Sequence, residues 1–170
     1  MSDILKAIGN TPIVKLKNIV PIGCGEIYVK LEAFNPTGSK KDRMALSMIL
    51  GAEKRGVLKK GMTVVEYSGG STGAGLAFVC SLKGYNFRLV TADVFGKEKI
   101  DLMRSLGANL EIIKSSDGKI NKELITKMIK KADQISKEPN TFFTNQLDNT
   151  DVIEGFIPLG EEILDQLNGN

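Results

Sequence analysis

The sequence contains no histidine and no tryptophan, and only two cysteines, five prolines and ten phenylalanine or tyrosine residues among 170. Without histidine, the chain cannot build a Ser-His-Asp triad, a Cys-His dyad, a His-ligated zinc or an imidazole general base. Proton transfer near neutral pH then falls to lysine, a carboxylate, cysteine or tyrosine, or to a cofactor. Cys24 and Cys80 stand far apart with no CxxC spacing. The N-terminus shows no charged segment followed by an apolar one, so the simplest setting is a reduced cytoplasm. Cys80, inside the run Leu76-Ala77-Phe78-Val79-Cys80, reads as core. No stretch approaches the roughly 20 apolar residues that a membrane-spanning helix needs. Nor does one sign of charge dominate: 23 Lys and Arg against 20 Asp and Glu leave +3, dispersed along the chain, which gives no basis for a nucleic-acid surface.

What is present is an ordinary globular balance, 42% hydrophobic and 25% charged, in a length suited to one folding unit. Repeats, low-complexity runs and Pro/Ser-rich linkers are missing. Alternating residues at Ile13–Leu16 and Glu26–Leu31 read as two short neighbouring strands. Beyond them, the β-branched runs Thr63–Glu66, Phe87–Thr91 and Leu110–Ile113 read as buried strands. Between these lie helical spacings at about Ser39 to Arg55, Thr72 to Lys83, Lys97 to Leu106 and Ile120 to Ile135, with Gly84 and Gly107 where helices would end. Strands alternating with helices imply βαβ crossovers and a parallel sheet, hence an α/β fold. Residues 150–170 have helix-like apolar spacing that Pro158 should interrupt, and Asn168-Gly169-Asn170 reads as a turn.

Two loops carry chemistry. In Asn35-Pro36-Thr37-Gly38-Ser39-Lys40-Lys41-Asp42-Arg43, Ser39 and Asp42 have the spacing of a capping pair, which puts Lys40 and Lys41 in the first helical turn. A helix N-terminus disfavours the charged ammonium, as a Schiff-base lysine requires. The same pair also reads as a solvated basic helix start. The second loop, Tyr67-Ser68-Gly69-Gly70-Ser71-Thr72-Gly73, joins a strand to an apolar helix. Its backbone N–H groups can cradle a phosphate or carboxylate, or its glycines can serve tight helix–sheet packing. It is neither a Walker A loop nor a full dinucleotide fingerprint.

Taken together, Ile8–Leu16, Lys30–Arg43 and the Ser68–Gly73 loop resemble the cysteine synthase family, fold-type II pyridoxal-phosphate enzymes that include cystathionine β-synthase. The likeness extends to Lys83-Gly84-Tyr85 and Asn145-Gln146. It implies a three-layer, Rossmann-like parallel-sheet domain akin to that of tryptophan synthase β. It also implies that Lys41, not Lys40, forms the Schiff base with pyridoxal 5′-phosphate and then removes the α-proton of a β-substituted amino acid such as O-acetylserine. A β-leaving group departs and sulfide or a thiol takes its place. Ser68, Gly69, Gly70, Ser71 and Thr72 correspond to the loop that holds the substrate carboxylate, assisted by Gln146. Ser71 stands where the family has an asparagine touching the cofactor, and the segment from Thr150 lacks the family's histidine.

The resemblance further implies that residues 35–145 form a small mobile domain, and that 1–34 with 146–170 form an incomplete part of a larger one. The cofactor's phosphate loop belongs to a second half beyond Asn170, so the isolated chain should bind pyridoxal phosphate poorly and be inactive or nearly so. A homodimer is implied, and apolar positions along Ile153–Leu167, Ile163 and Leu167 among them, should drive self-association. The expected partners are a small amino-acid substrate and the second half of the same polypeptide, with no metal, nucleic acid or membrane. Other readings are a binding or assembly module that kept the fold, a Ser/Thr dehydratase-like β-eliminating enzyme and, last, a nucleotide-binding domain. The last lacks an acidic residue at the end of the strand that stops at Thr91.

Overall fold

A computed structural model describes residues 4–167. The chain opens with an antiparallel pair, β1 (Ile13–Lys15) and β2 (Tyr28–Lys30), the two neighbouring strands expected from their alternation. Helix α1 (Lys41–Lys54) leads into four parallel strands: β3 (Thr63–Tyr67), β4 (Asn86–Ala92), β5 (Asn109–Ile113) and β6 (Thr141–Phe143). These are joined in turn by α2 (Ser71–Lys83), α3 (Lys97–Ser105) and α4 (Lys122–Ser136), and α5 (Asp151–Gln166) closes the described chain. The sheet order is β5-β4-β3-β6. The chain therefore moves outward from β3 to β5 and then returns to the other side of β3. That reversal opens a crevice beyond the carboxyl ends of β3 and β6, the place where open α/β sheets bind ligands.

The sheet is covered on both faces because side chains alternate across each strand. Val64, Phe87 and Leu89 pack with residues of α1, α2 and α3. Val65, Tyr67, Val90 and Ala92 pack on the other face against Leu124, Met128, Ala132 and Ile135, the apolar stripe of α4. Cys80 lies wholly inside the first cluster, and burial pushes its thiol pKa up, in keeping with a structural role. Gly84 closes α2 with φ of 74°, as its sequence position predicts.

Several sequence expectations are corrected. Helix α1 starts at Lys41 rather than Ser39. Helix α4 starts at Lys122 rather than near Ile120, because the Asn121 side chain accepts the Leu124 N–H at 2.9 Å and sets the start there. β5 is an edge strand rather than a buried one, which leaves Ile112 44% exposed. β6 was not foreseen, since three residues carry too little alternation to read. Pro158 does not interrupt α5. It removes one helical N–H, but it and Glu154, whose carbonyl loses that partner, are both exposed to water. The apolar residues that α5 exposes are Ile153, Ile157 and Leu164, whereas Ile163 and Leu167 are half-buried. The turn expected at Asn168-Gly169-Asn170 lies outside the described residues. Among those residues, no helix is long and apolar enough to cross a membrane.

Candidate functional site

Both loops singled out in the sequence meet at the crevice. The Asn35–Lys41 loop is fixed by Asp42, whose wholly buried carboxylate turns back to accept the Thr37 N–H at 2.7 Å and the Thr37 hydroxyl proton. Burial raises the Asp42 carboxyl above its ordinary pKa, against the pull of those two hydrogen bonds. Asp42 is thus not the capping partner of Ser39. The Ser39 hydroxyl instead accepts the Lys41 N–H at 3.2 Å, and Lys40, at the cap position, makes no side-chain capping bond. Thr37 takes the carboxylate that the capping pattern assigns to Ser39. Lys40 is exposed and Lys41 half-buried. The Lys41 amine has no hydrogen-bond or ion-pair partner among the described residues.

The second loop leaves β3 at Tyr67. The Ser68 N–H reaches the Val90 carbonyl of the neighbouring strand at 2.9 Å. Its hydroxyl oxygen accepts two loop N–H groups, Gly70 at 3.1 Å and Gly73 at 3.2 Å. Ser68 therefore spends both acceptor positions on shaping the loop and keeps only its proton for another group. Replacing Ser68 with alanine is expected to cost about 1 kcal/mol, the usual worth of a helix cap. Denaturant unfolding would measure it, and a change below about 0.3 kcal/mol would deny Ser68 that role.

The N–H groups of Ser71 and Thr72 remain without partners among the described residues. They open α2, where the helix dipole favours an anion. Ser71 itself is exposed, while Thr72 is buried. Gly69 is required by close approach, since a Cβ there would come 2.2 Å from the Phe95 ring. Gly75 brings the two helices together in the same way: a Cβ on it would lie 3.2 Å from the Lys41 carbonyl oxygen and 3.0 Å from the Asp42 carboxylate. Lys41 thus begins α1 one helical turn along α2 from the unpaired N–H groups.

Gln146 enters from the far side of β3. Asn145, in the left-handed region at φ of 46°, turns the chain out of β6. The Gln146 side-chain amide then donates to the Tyr67 carbonyl at 2.9 Å, which leaves its own carbonyl oxygen unengaged. Among the residues singled out in the sequence, the Lys41 backbone meets α2 at Gly75 and the Gln146 side chain meets the Tyr67 carbonyl, so both adjoin the Ser68–Thr72 loop. A cavity of about 150 Å³ adjoins it, lined in part by Thr37, Ser71 and Lys99. A larger cleft of about 720 Å³ lies elsewhere, between α1 and α5, and touches neither Lys41, Gln146 nor any residue of that loop.

The structure adds Glu66, which the sequence reading passed over. Its carboxylate is 0% exposed and binds both Thr144 and the Gln146 backbone. The signal was there, a lone charge ending the run Thr63-Val64-Val65.

A family model described as pyridoxal-phosphate dependent enzyme matches residues 4–170. A cysteine synthase from Staphylococcus aureus is 40% identical over 172 residues, covering 99% of this chain and 53% of that protein. Among solved structures, a hydrogen sulfide-producing enzyme from Fusobacterium nucleatum superposes with a TM-score of 0.88 at 37% identity, over 99% of this chain and 53% of its own. O-ureido-L-serine synthase superposes with a TM-score of 0.86, again at 37% identity, over 100% of this chain and 52% of its own. The chain thus spans about half the length of the relatives it matches.

Proposed function

The chain belongs to the pyridoxal-phosphate dependent enzymes, and we propose on that footing that it is the amino-terminal part of a cysteine synthase-like enzyme. The reaction proposed is β-replacement on O-acetylserine or a similar β-substituted amino acid, with sulfide or a thiol as the incoming group. One observation carries this reading: Lys41, whose amine has no partner among the described residues, begins α1 where its backbone packs on α2, one helical turn from the unpartnered N–H groups of Ser71 and Thr72. The residues present fit the cofactor, since Lys41 offers the unpartnered amine that would hold it and Ser71 an exposed hydroxyl at the start of α2. When bound, pyridoxal phosphate supplies an electron sink for negative charge developing at an amino acid's Cα.

The chain's own residues would do the rest. The N–H groups of Ser71 and Thr72, backed by the α2 dipole, bind the substrate carboxylate. Gln146 flanks them with its free carbonyl oxygen, positioned for an ammonium or hydroxyl donor. Lys41 carries the proton between Cα and its Nζ, a task open to lysine in a chain without histidine. The Phe95 ring packs against Gly69 and supports the loop.

In this reading, residues 35–145 move as a small domain. The remaining polypeptide supplies the phosphate site, and two copies form the working homodimer in a reducing cytoplasm that leaves Cys24 and Cys80 unpaired. The isolated 170-residue chain would bind the cofactor weakly. The test is cysteine formation by the full-length protein from O-acetylserine and sulfide. Pyridoxal phosphate-dependent turnover supports the reading, whereas binding of amino acids without β-replacement contradicts it.

A further inference from the structure

Glu66 is a costly residue where it stands. It ends the apolar run Val64-Val65, is 0% exposed, and has no cationic partner among the described residues. A buried carboxylate loses far more solvation than an apolar side chain of similar size would, so stability alone does not favour it here. Burial raises its pKa. What the carboxylate gains is three donors. One oxygen accepts the Tyr67 N–H at 2.8 Å, and the other accepts the Thr144 hydroxyl at 2.7 Å and the Gln146 N–H at 2.9 Å. These donors come from two places, the end of β3 and the segment just past β6.

Their position explains the arrangement. The β3–β6 ladder is only three pairs long, and its last backbone link is the Thr144 N–H to the Val65 carbonyl at 3.1 Å. Beyond that point Asn145 turns the chain away from the sheet. Gln146 would have no backbone tie to β3 if Glu66 did not provide one. With that tie in place, the Gln146 side chain can close back on the Tyr67 carbonyl, one residue before the Ser68–Thr72 loop.

We propose that Glu66 is the positioning residue of this site: its buried carboxylate binds the Gln146 backbone to the end of β3, so that Gln146 and the Ser68–Thr72 loop act as one unit on an amino-acid substrate. The part concerning substrate rests on the proposed reading of that loop. A carboxylate is needed because it only accepts, and three donors converge on it. An amide at position 66 would turn an NH₂ group toward at least one of them.

The experiment compares full-length wild-type protein with Glu66→Gln and Thr144→Val, the second variant removing one donor while keeping the carboxylate. Amide hydrogen exchange reads the holding role directly. In Glu66→Gln the Gln146 amide should exchange about tenfold faster or more, the consequence of losing a hydrogen bond to a charged acceptor. The amides of Leu89 and Val90 should be unchanged. In steady-state kinetics with O-acetylserine, KM should rise about tenfold with kcat within about threefold, since the lost contact serves binding. Should Glu66→Gln not fold, Thr144→Val must by itself speed Gln146 exchange. Unchanged Gln146 exchange in a folded Glu66→Gln protein overturns the proposal, as does an unchanged KM when wild-type protein turns over the substrate. If wild-type protein does not use O-acetylserine, the reading of the loop fails, and the exchange result still decides whether Glu66 holds Gln146.

Discussion

Replacing Lys41 with alanine should lower β-replacement by the full-length protein about 10³-fold, within the range for removing a positioned general base. Lys40→Ala should change it less than about threefold, as expected of a surface substitution away from the reacting atoms. The two lysines are adjacent in sequence but unlike in setting. Lys40 is exposed at the cap position, and Lys41 is the first residue of α1, half-buried, with an amine that no described residue engages. Its backbone is fixed from both sides. Asp42 holds the preceding loop through Thr37, and Gly75 lets α2 approach the Lys41 carbonyl. Because Lys41 makes no ion pair, its loss should leave folding stability within about 0.5 kcal/mol, as for substitutions remote from packing. Activity within tenfold of wild type in Lys41→Ala would contradict the assignment.

The second large effect concerns stability. Arg43, with its side chain 4% exposed, lies between two carboxylates drawn from distant segments. Its Nε and Nη2 donate to Glu32 at 2.8 and 2.9 Å, and Nη1 and Nη2 donate to Glu162 at 2.7 and 2.8 Å. Glu162 also accepts the Asn10 N–H at 2.8 Å and the Lys30 ammonium at 2.6 Å. One guanidinium thus joins α1 to α5 and to the segment around β1 and β2. Arg43→Ala leaves Glu32 without a cation and Glu162 with Lys30 alone. It should cost about 3–5 kcal/mol, the usual penalty for removing one partner of a buried pair. Equilibrium denaturant unfolding of the full-length protein measures it, and a loss below about 1 kcal/mol would show that water replaces the guanidinium at little cost.

The same cluster sets an acid limit. The Arg43 guanidinium and its neighbours lower Glu162 to about 2. A depressed folded-state value means that the stabilisation is complete above the ordinary carboxylate range, near about 4.3. It is lost as the pH falls from there toward about 2. Glu162→Gln should flatten that part of the stability profile.

Much of this was legible in sequence because the signals are local. The strand–helix alternation follows from side-chain periodicity, whereas the choice of Lys41 over Lys40 comes from the family resemblance, because the run Ser39-Lys40-Lys41-Asp42-Arg43 by itself leaves both open. What escaped depends on partners far along the chain. Arg43 meets Glu162 across 119 residues, and Glu66 meets Gln146 across 80, distances at which spacing rules say nothing. Asp42 was misjudged for a related reason, since Thr37 competes with Ser39 for its carboxylate and only the folded loop shows which wins. Gly69 looked like part of an anion cradle, but the Phe95 ring packed on it gives a second reason for glycine there. Strand β6 was too short to alternate visibly, yet its place beside β3 is what brings Gln146 to the crevice.

The most direct test is borohydride reduction of the full-length protein with pyridoxal phosphate bound, followed by peptide mapping of the modified lysine. A single stoichiometric modification is expected on Lys41, abolished in Lys41→Ala and retained in Lys40→Ala. Modification of Lys40 or of any lysine outside this loop, with Lys41 left free, would contradict it.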